Sequence, residues 1–259
     1  MSKRQRQQLV RLLMYAIFVV AVAAVVVFAD WSRIRSRFFD MDIARDMFPD
    51  VLTIAARNTI LYTFLAFVFG LALGLLLALM RLSSVAPYRW LATVYIEIFR
   101  GLPALLTIFL IGFGIPLAFG TRWPILWQIT LGLGLVAAAY MAETIRAGIE
   151  GVPKGQMEAA RSLGMTHTRA MGSIVIPQGF RIIIPPLTNE LVLLIKDTSL
   201  LFVLGTTVQS KELLKFGRDL LQARASPTPL IVVGFVYLLI TVPMTQLVAV
   251  LERRNARTR

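Results

Sequence analysis

The sequence contains no cysteine and a single histidine, His167. The first absence excludes disulfides and thiolate metal sites and leaves the redox compartment unread. The second excludes a metal site built from several imidazoles, and a lone His in a polar loop reads as solvated. Acidic residues are scarce, 14 against 27 Lys and Arg, for a net charge of +13. In a soluble protein that excess would point to nucleic acid, but no basic patch interleaved with aromatics is present. No G-x-x-x-x-G-K-[ST] stretch occurs, so the chain has no phosphate-cradling loop of that kind. No repeat relates 51–150 to 151–250. What the chain has in quantity is apolar surface: 57% of residues are hydrophobic and the mean hydropathy is +0.73. That is too apolar for an average soluble domain. The fold class expected is an all-α integral membrane protein.

Lys3, Arg4, Arg6 and Arg11 precede an apolar run over 12–29. At about 1.5 Å per residue this run reaches roughly 27 Å, enough to cross a bilayer. A secretory signal has a shorter apolar centre and ends at small residues. The flank here is Asp30-Trp31-Ser32-Arg33, so a retained span is expected. The segment 30–49 mixes four Asp with four Arg and carries Trp31, Phe38, Phe39 and Phe48. It reads as an amphipathic connector with aromatics suited to the membrane interface. Further spans are expected at about 52–80, 90–119, 125–146, 186–206 and 230–251, six in all. Gly70 and Gly74, four apart, would let another helix approach closely. Gly101 and Pro103 predict a kink in the third span, and Pro185-Pro186 are read as the first turn of the fifth. The region 208–229 is expected outside, with Lys211, Glu212, Lys215, Arg218 and Asp219 on an interfacial helix. With both termini in the cytoplasm, fifteen basic residues fall inside and nine outside, Arg122 among the nine. This orientation follows the positive-inside rule.

A charge in the hydrocarbon core costs at least about 2.5–3.5 kcal/mol, so it needs a partner or a water-lined path. Asn189, Glu190, Lys196, Asp197, Thr198 and Ser199 form the most polar group at membrane depth. Lys196 and Asp197 read either as a satisfied bridge to a neighbouring helix or subunit, or as lining for a translocation route with Thr198 and Ser199. Glu190 would suit a cationic side chain on that route, or a helix contact. Glu97 and Arg100, and likewise Glu143 and Arg146, are spaced three apart. Each reads as a local ion pair at a helix end, with a gate as the alternative.

After the breaker Gly151-Val152-Pro153 comes a short helical segment, 154–163, closed by Gly164. Met157, Ala160 and Leu163 are expected to share one face, with Glu158 and Arg161 pairing beside it. A helix this short does not hold itself up in water. A receiving surface is implied, and the segment reads as a docking element.

Glu158-Ala159-Ala160, then Gly164, then Ile174-Val175-Ile176-Pro177 resemble the EAA loop of ABC-importer permeases, with Ile176 where Leu is usual. The runs Arg100-Gly101-Leu102-Pro103, Ala139–Glu143, Pro153–Met165, Lys196–Leu200 and Leu251–Arg254 are similar to the polar-amino-acid uptake subfamily. The likeness extends from about residue 58 to 254. It implies a type I ABC importer permease domain over 52–254, with its coupling loop at about 150–178. Residues 1–51 would add a cytoplasmic tail, an extra transmembrane helix and a connector, and 255–259 a cytoplasmic tail. It further implies a cytoplasmic ABC ATPase dimer that binds ATP and Mg and docks Gly155, Gln156, Glu158, Ala159, Ala160, Arg161 and Gly164. No cofactor would be bound by this chain. A second permease subunit, identical or homologous, and an extracytoplasmic solute-binding protein complete the implied set, in a bacterial inner membrane.

Two readings compete with this one. A stand-alone ion-coupled carrier would show corresponding halves with interrupted helices, and none are found. An integral-membrane enzyme would need catalytic groups at recognisable spacing, and none stand out. The identity of the amino acid is left open.

Overall fold

The structure is a computed structural model and describes residues 3–121 and 123–257. Arg122 and the tail residues 258–259, placed above on the outside and in the cytoplasm, lie outside the described residues. Among the described residues every regular element is helical. The long helix α1 (Lys3–Phe28) leads to α2 (Trp31–Phe38), whose N-cap Asp30 accepts the Arg33 amide, and to α3 (Met41–Asp46), capped by Asp40. A wide turn at Val51–Ala56 runs straight into α4 (Arg57–Leu82). Next come α5 (Ala86–Gly101), α6 (Ala104–Phe109), a wide turn at Leu110–Gly114 and α7 (Ile115–Phe119). The second long helix of the core is α8 (Ile125–Glu150). The short α9 (Lys154–Ser162) and α10 (His167–Ala170) precede α11 (Ile176–Asp197). A 3₁₀ segment Thr198–Val203, α12 (Leu213–Arg224) and α13 (Thr228–Arg257) finish the chain.

Among the described residues, five continuous stretches are long and apolar enough to cross a membrane: Lys3–Phe28, Val51–Leu82, Ile125–Glu150, His167–Val203 and Thr228–Arg253. The remaining expected span, the third, is broken rather than kinked. Ala86–Gly101 and Ala104–Phe119 meet at 104°. Leu102 and Pro103 are both extended at the elbow, because the pyrrolidine ring drives the preceding residue out of helical backbone. Pro185 and Pro186 are not a first turn either. The helix begins ten residues earlier, and both prolines lie inside α11. Each proline removes one backbone hydrogen bond, yet the flanking turns are held against α8.

The centre of the bundle is the parallel pair α4 and α8, and the two glycines make it close. A Cβ on Gly70 would lie 3.1 Å from the Ala137 Cβ, and one on Gly74 would lie 3.0 Å from the Ala138 carbonyl. Tyr62, Ala66, Ile129, Leu133 and Met141 form the core at one end, joined by Leu201 and Leu204. Leu77, Ala92, Ile96, Ile145 and Ile183 form it at the other. Backbone proximity through small residues supplies the dispersion contacts that hold helices together in lipid, where no hydrophobic drive exists between them. Gly148 and Gly179 repeat the device between α8 and α11: a Cβ on Gly148 would stand 2.2 Å from Ile183. A third cluster, Met47, Val51, Leu213, Val233 and Val236, packs α12 and the connector on α13. No residue of α1 is buried.

Candidate functional site

The α9 end of the bundle carries the expected docking element. Helix α9 spans Lys154–Ser162 and stops in a double hydrogen bond: the Met165 amide donates to Ala160 and the Gly164 amide to Arg161. This is a Schellman closure, and it requires a left-handed residue at its turn. Gly164 supplies it, with φ of +84° and no atom near a would-be Cβ. Of the residues on α9 only Ala160 is buried, with Met157 half-buried. Gly155, Gln156, Glu158, Ala159 and Arg161 are exposed. Two details differ from the expectation. Leu163 does not share the buried face but is 84% exposed, because the closure takes it out of the helix. Arg161 donates to the Met165 carbonyl rather than pairing with Glu158. The rest of the loop folds into α10 and a wide turn at Met171–Val175, and Ile176-Pro177 open α11. Gln178 reaches back to Gln156 at 3.2 Å.

Above this loop stands a charge node that the spacing rule found only in part. Glu143 is bound by Arg146 through two contacts, 3.2 and 2.9 Å, as the three-residue spacing predicts. The same carboxylate accepts from Arg81 on α4 at 2.5 Å and lies 3.8 Å from Arg100 on α5. Arg146 also binds Glu150. The second expected pair, Glu97 with Arg100, is absent among the described residues. Glu97 is exposed, and Arg100 turns toward Glu143 and the Tyr140 ring, 5.7 Å away. One carboxylate therefore gathers three helices. Arg81 was missed because a partner 62 residues away leaves no local signal.

The polar band of α11 divides by environment. Asn189 and Lys196 are exposed, while Glu190 and Asp197 are partly covered. Glu190 and Asp197 lie seven residues apart, so they share a face about two turns apart. Neither they nor Lys196 join an ion pair among the described residues, so no bridge to a neighbouring helix of this chain satisfies them. Thr198 is buried and donates to the Ile195 carbonyl, and Ser199 is half-buried.

At the opposite end, Glu212 is not an interfacial charge but a buried one, 1% exposed. It caps α12 by accepting the Leu214 and Lys215 amides at 2.6 Å each, and the Tyr237 hydroxyl donates to it at 3.2 Å. Burial pushes its carboxyl up to about 7 against the pull of those donors. Asn58, Thr59 and Tyr62 of α4 bind the backbone at Gln209, Ser210, Lys211 and Leu213 alongside it. Its own helix gave no signal for this, since Glu is not among the favoured N-cap residues.

A helical bundle with five or six candidate spans and a short capped helix exposed at one end has the architecture of a multi-pass membrane protein. The chain belongs to the family of binding-protein-dependent transport system inner membrane components, whose pattern residues 70–257 match. This is a family of multi-pass permease subunits rather than enzymes. It is 36% identical over 219 residues to the L-cystine transport system permease protein of Bacillus subtilis (strain 168), covering 83% of this chain and 91% of that protein. It is 35% identical over 206 residues to the glutamate/aspartate import permease protein of Escherichia coli O157:H7, covering 76% and 90%. A crystal structure of an amino acid ABC transporter matches with a TM-score of 0.75 and 35% identity, over 84% of this chain and 98% of that one. A bacterial ABC transporter for alginate shares the fold at TM-score 0.63 and 14% identity, over 98% and 99% of the two chains.

Proposed function

We propose that this chain is the membrane-spanning permease subunit of an ATP-driven importer that takes up a polar amino acid. The relatives just named support the substrate class, and the bare α9 helix supports the mode of drive. That helix is the observation on which the reading rests. Its outer surface and the exposed Leu163 beside it form an apolar and polar patch of the kind that marks a contact with another protein. The partner is a cytoplasmic ATPase dimer, which binds ATP and Mg and receives Gly155, Gln156, Glu158, Ala159, Arg161 and Gly164, while Ala160, buried against its own bundle, seats the helix. Closure of that dimer moves α9, and the Gly148–Ile183 contact passes the motion to α8 and α11 as a rigid body.

A second permease subunit faces this one, and a solute-binding protein outside delivers the ligand. Both termini lie in the cytoplasm of a bacterial inner membrane. Residues 52–254 are the permease domain, preceded by the extra helix and connector. Glu190 and Asp197, with Asn189, Lys196, Thr198 and Ser199, line the route, and the Glu143 node holds its cytoplasmic mouth. The test is Glu158→Lys and Gly164→Leu, each purified with the ATPase. Both variants should insert into the membrane with transport lost and ATP hydrolysis uncoupled from ligand. Full transport in both overturns the docking role.

A further inference from the structure

Helix α2 is a basic amphipathic helix fixed at the edge of the apolar slab, and among the described residues its arginines have one ion-pair contact, an exposed one from Arg33 to Asp30. Its depth is set at both ends. On one side Phe28 ends the α1 span, and the Trp31 indole N–H donates to the Val26 carbonyl at 2.6 Å. On the other side the Arg37 carbonyl accepts from Ser226 at 3.0 Å and from Thr228 at 3.1 Å. Both hydroxyl residues are buried, and Thr228 opens the α13 span. A segment clasped between the ends of two spans lies in the headgroup plane.

Its chemistry suits that plane. Trp31, Ile34 and Phe38 fall on one side at steps of three and four, with Trp31 53% and Phe38 42% exposed. Arg33 falls on the far side, with Arg35 and Arg37 on the two flanks. Of the nearby acids, Asp42 makes no ion pair among the described residues, and the others have partners of their own. Asp40 caps α3, and Asp46 pairs with Arg224 at 3.1 Å. Asp30 caps α2 and approaches only Arg33, at 3.8 Å with both side chains exposed. Arg35 and Arg37 make no ion pair among the described residues. We infer that α2 is a docking surface for anionic phospholipid, its aromatic face in the acyl boundary and its three arginines on headgroup phosphates. This needs only that the chain spans a bilayer, whatever solute it carries.

The test uses the full chain with Trp90, Trp123 and Trp127 replaced by Phe, so that Trp31 reports alone. It is placed in nanodiscs of phosphatidylcholine in which a minor fraction is dibrominated phosphatidylglycerol, or the same fraction of dibrominated phosphatidylcholine. The anionic quencher should be enriched at Trp31, by about fivefold for each arginine that engages it. Arg33→Gln/Arg35→Gln/Arg37→Gln should bring the two quenchers level, and the corresponding Lys triple should keep most of the preference. Should the Gln triple fail to insert, Arg35→Gln and Arg37→Gln singly should each lower the preference. Equal quenching in the parent, an unchanged preference in the Gln variants, or loss of preference in the Lys triple overturns the inference. So does a parent indifferent to lipid charge whose Gln variants need more solute-binding protein for half-maximal ATPase stimulation, since that face would then dock a protein.

Discussion

Arg81 and Glu143 meet at 2.5 Å across the α4–α8 contact, and the bond joins helices 62 residues apart in sequence. Their side chains are only 23% and 19% exposed. Glu143 is also the anion for Arg146 and the nearest acid to Arg100, so its loss leaves three guanidinium groups short of a partner. Glu143→Gln should therefore cost about 2–3 kcal/mol of stability. Glu150, 53% exposed and paired only with Arg146, sits where solvent screens the pair, and Glu150→Gln should cost under ~1 kcal/mol. Thermal unfolding of the detergent-solubilised chain measures both. A double-mutant cycle of Arg81→Gln with Glu143→Gln should show clear coupling, and strict additivity would refute the node.

How much of this was legible beforehand depends on the range of the interaction. The α9 helix, its Gly164 stop, the Gly70/Gly74 approach and the Glu143–Arg146 pair all rest on spacings of three to five residues, and each is present. Two of the errors came where a distant group outbid a local one, whereas Leu163 and the Glu158–Arg161 pair were lost to the local closure at Gly164. Arg100 left Glu97 for Glu143, and Pro185-Pro186 were carried inside α11 by packing against α8. Pro103 was read as a kink where the span is broken, since one ring fixes the backbone at Leu102 and not the angle between helices. Glu212 was misplaced because its burial is set by α13 and α4, which its own helix does not reveal.

The glycine contact between α4 and α8 gives a second prediction. At Gly74 the three nearest neighbours of a Cβ are the Ala138 carbonyl, the Met141 Cβ and the Ala142 nitrogen, within 3.0–3.2 Å. These atoms belong to or adjoin backbone and cannot swing away. Gly74→Val should force the helices apart and cost about 1–3 kcal/mol. Gly101, with no atom within 4 Å of its would-be Cβ, should accept Ala without loss. Equal unfolding temperatures for Gly74→Val and the parent would contradict the close approach.

On the proposed route, Glu190→Gln and Asp197→Asn remove a charge without changing shape. Neither carboxylate has an ion-pair partner among the described residues, so stability should change by less than ~1 kcal/mol. Transport should not be spared in the same way. At least one variant should alter the ligand concentration for half-maximal uptake, or the ligand-stimulated ATPase rate, by several-fold. Unaltered kinetics in both would remove these residues from the route.

Glu212 yields a prediction in pH. Its carboxyl stands at about 7 in the folded chain against an ordinary value of 4.5, and burial is the main cause. Between those two values the folded state holds a proton that the unfolded state has released. Stability must then fall as pH rises through this window. The contribution is complete below 4.5 and lost above 7, with a span of at most ~3 kcal/mol at 1.36 kcal/mol per unit. Gln keeps an oxygen that can accept from the Leu214 or Lys215 amide but cannot ionise. Glu212→Gln should flatten the profile and melt at or above the parent at pH 8, while matching it near pH 5. Thermal unfolding across pH 5 to 8 reads this directly. A parent that gains stability over that range would mean the two amides and the Tyr237 hydroxyl hold Glu212 ionised despite its burial.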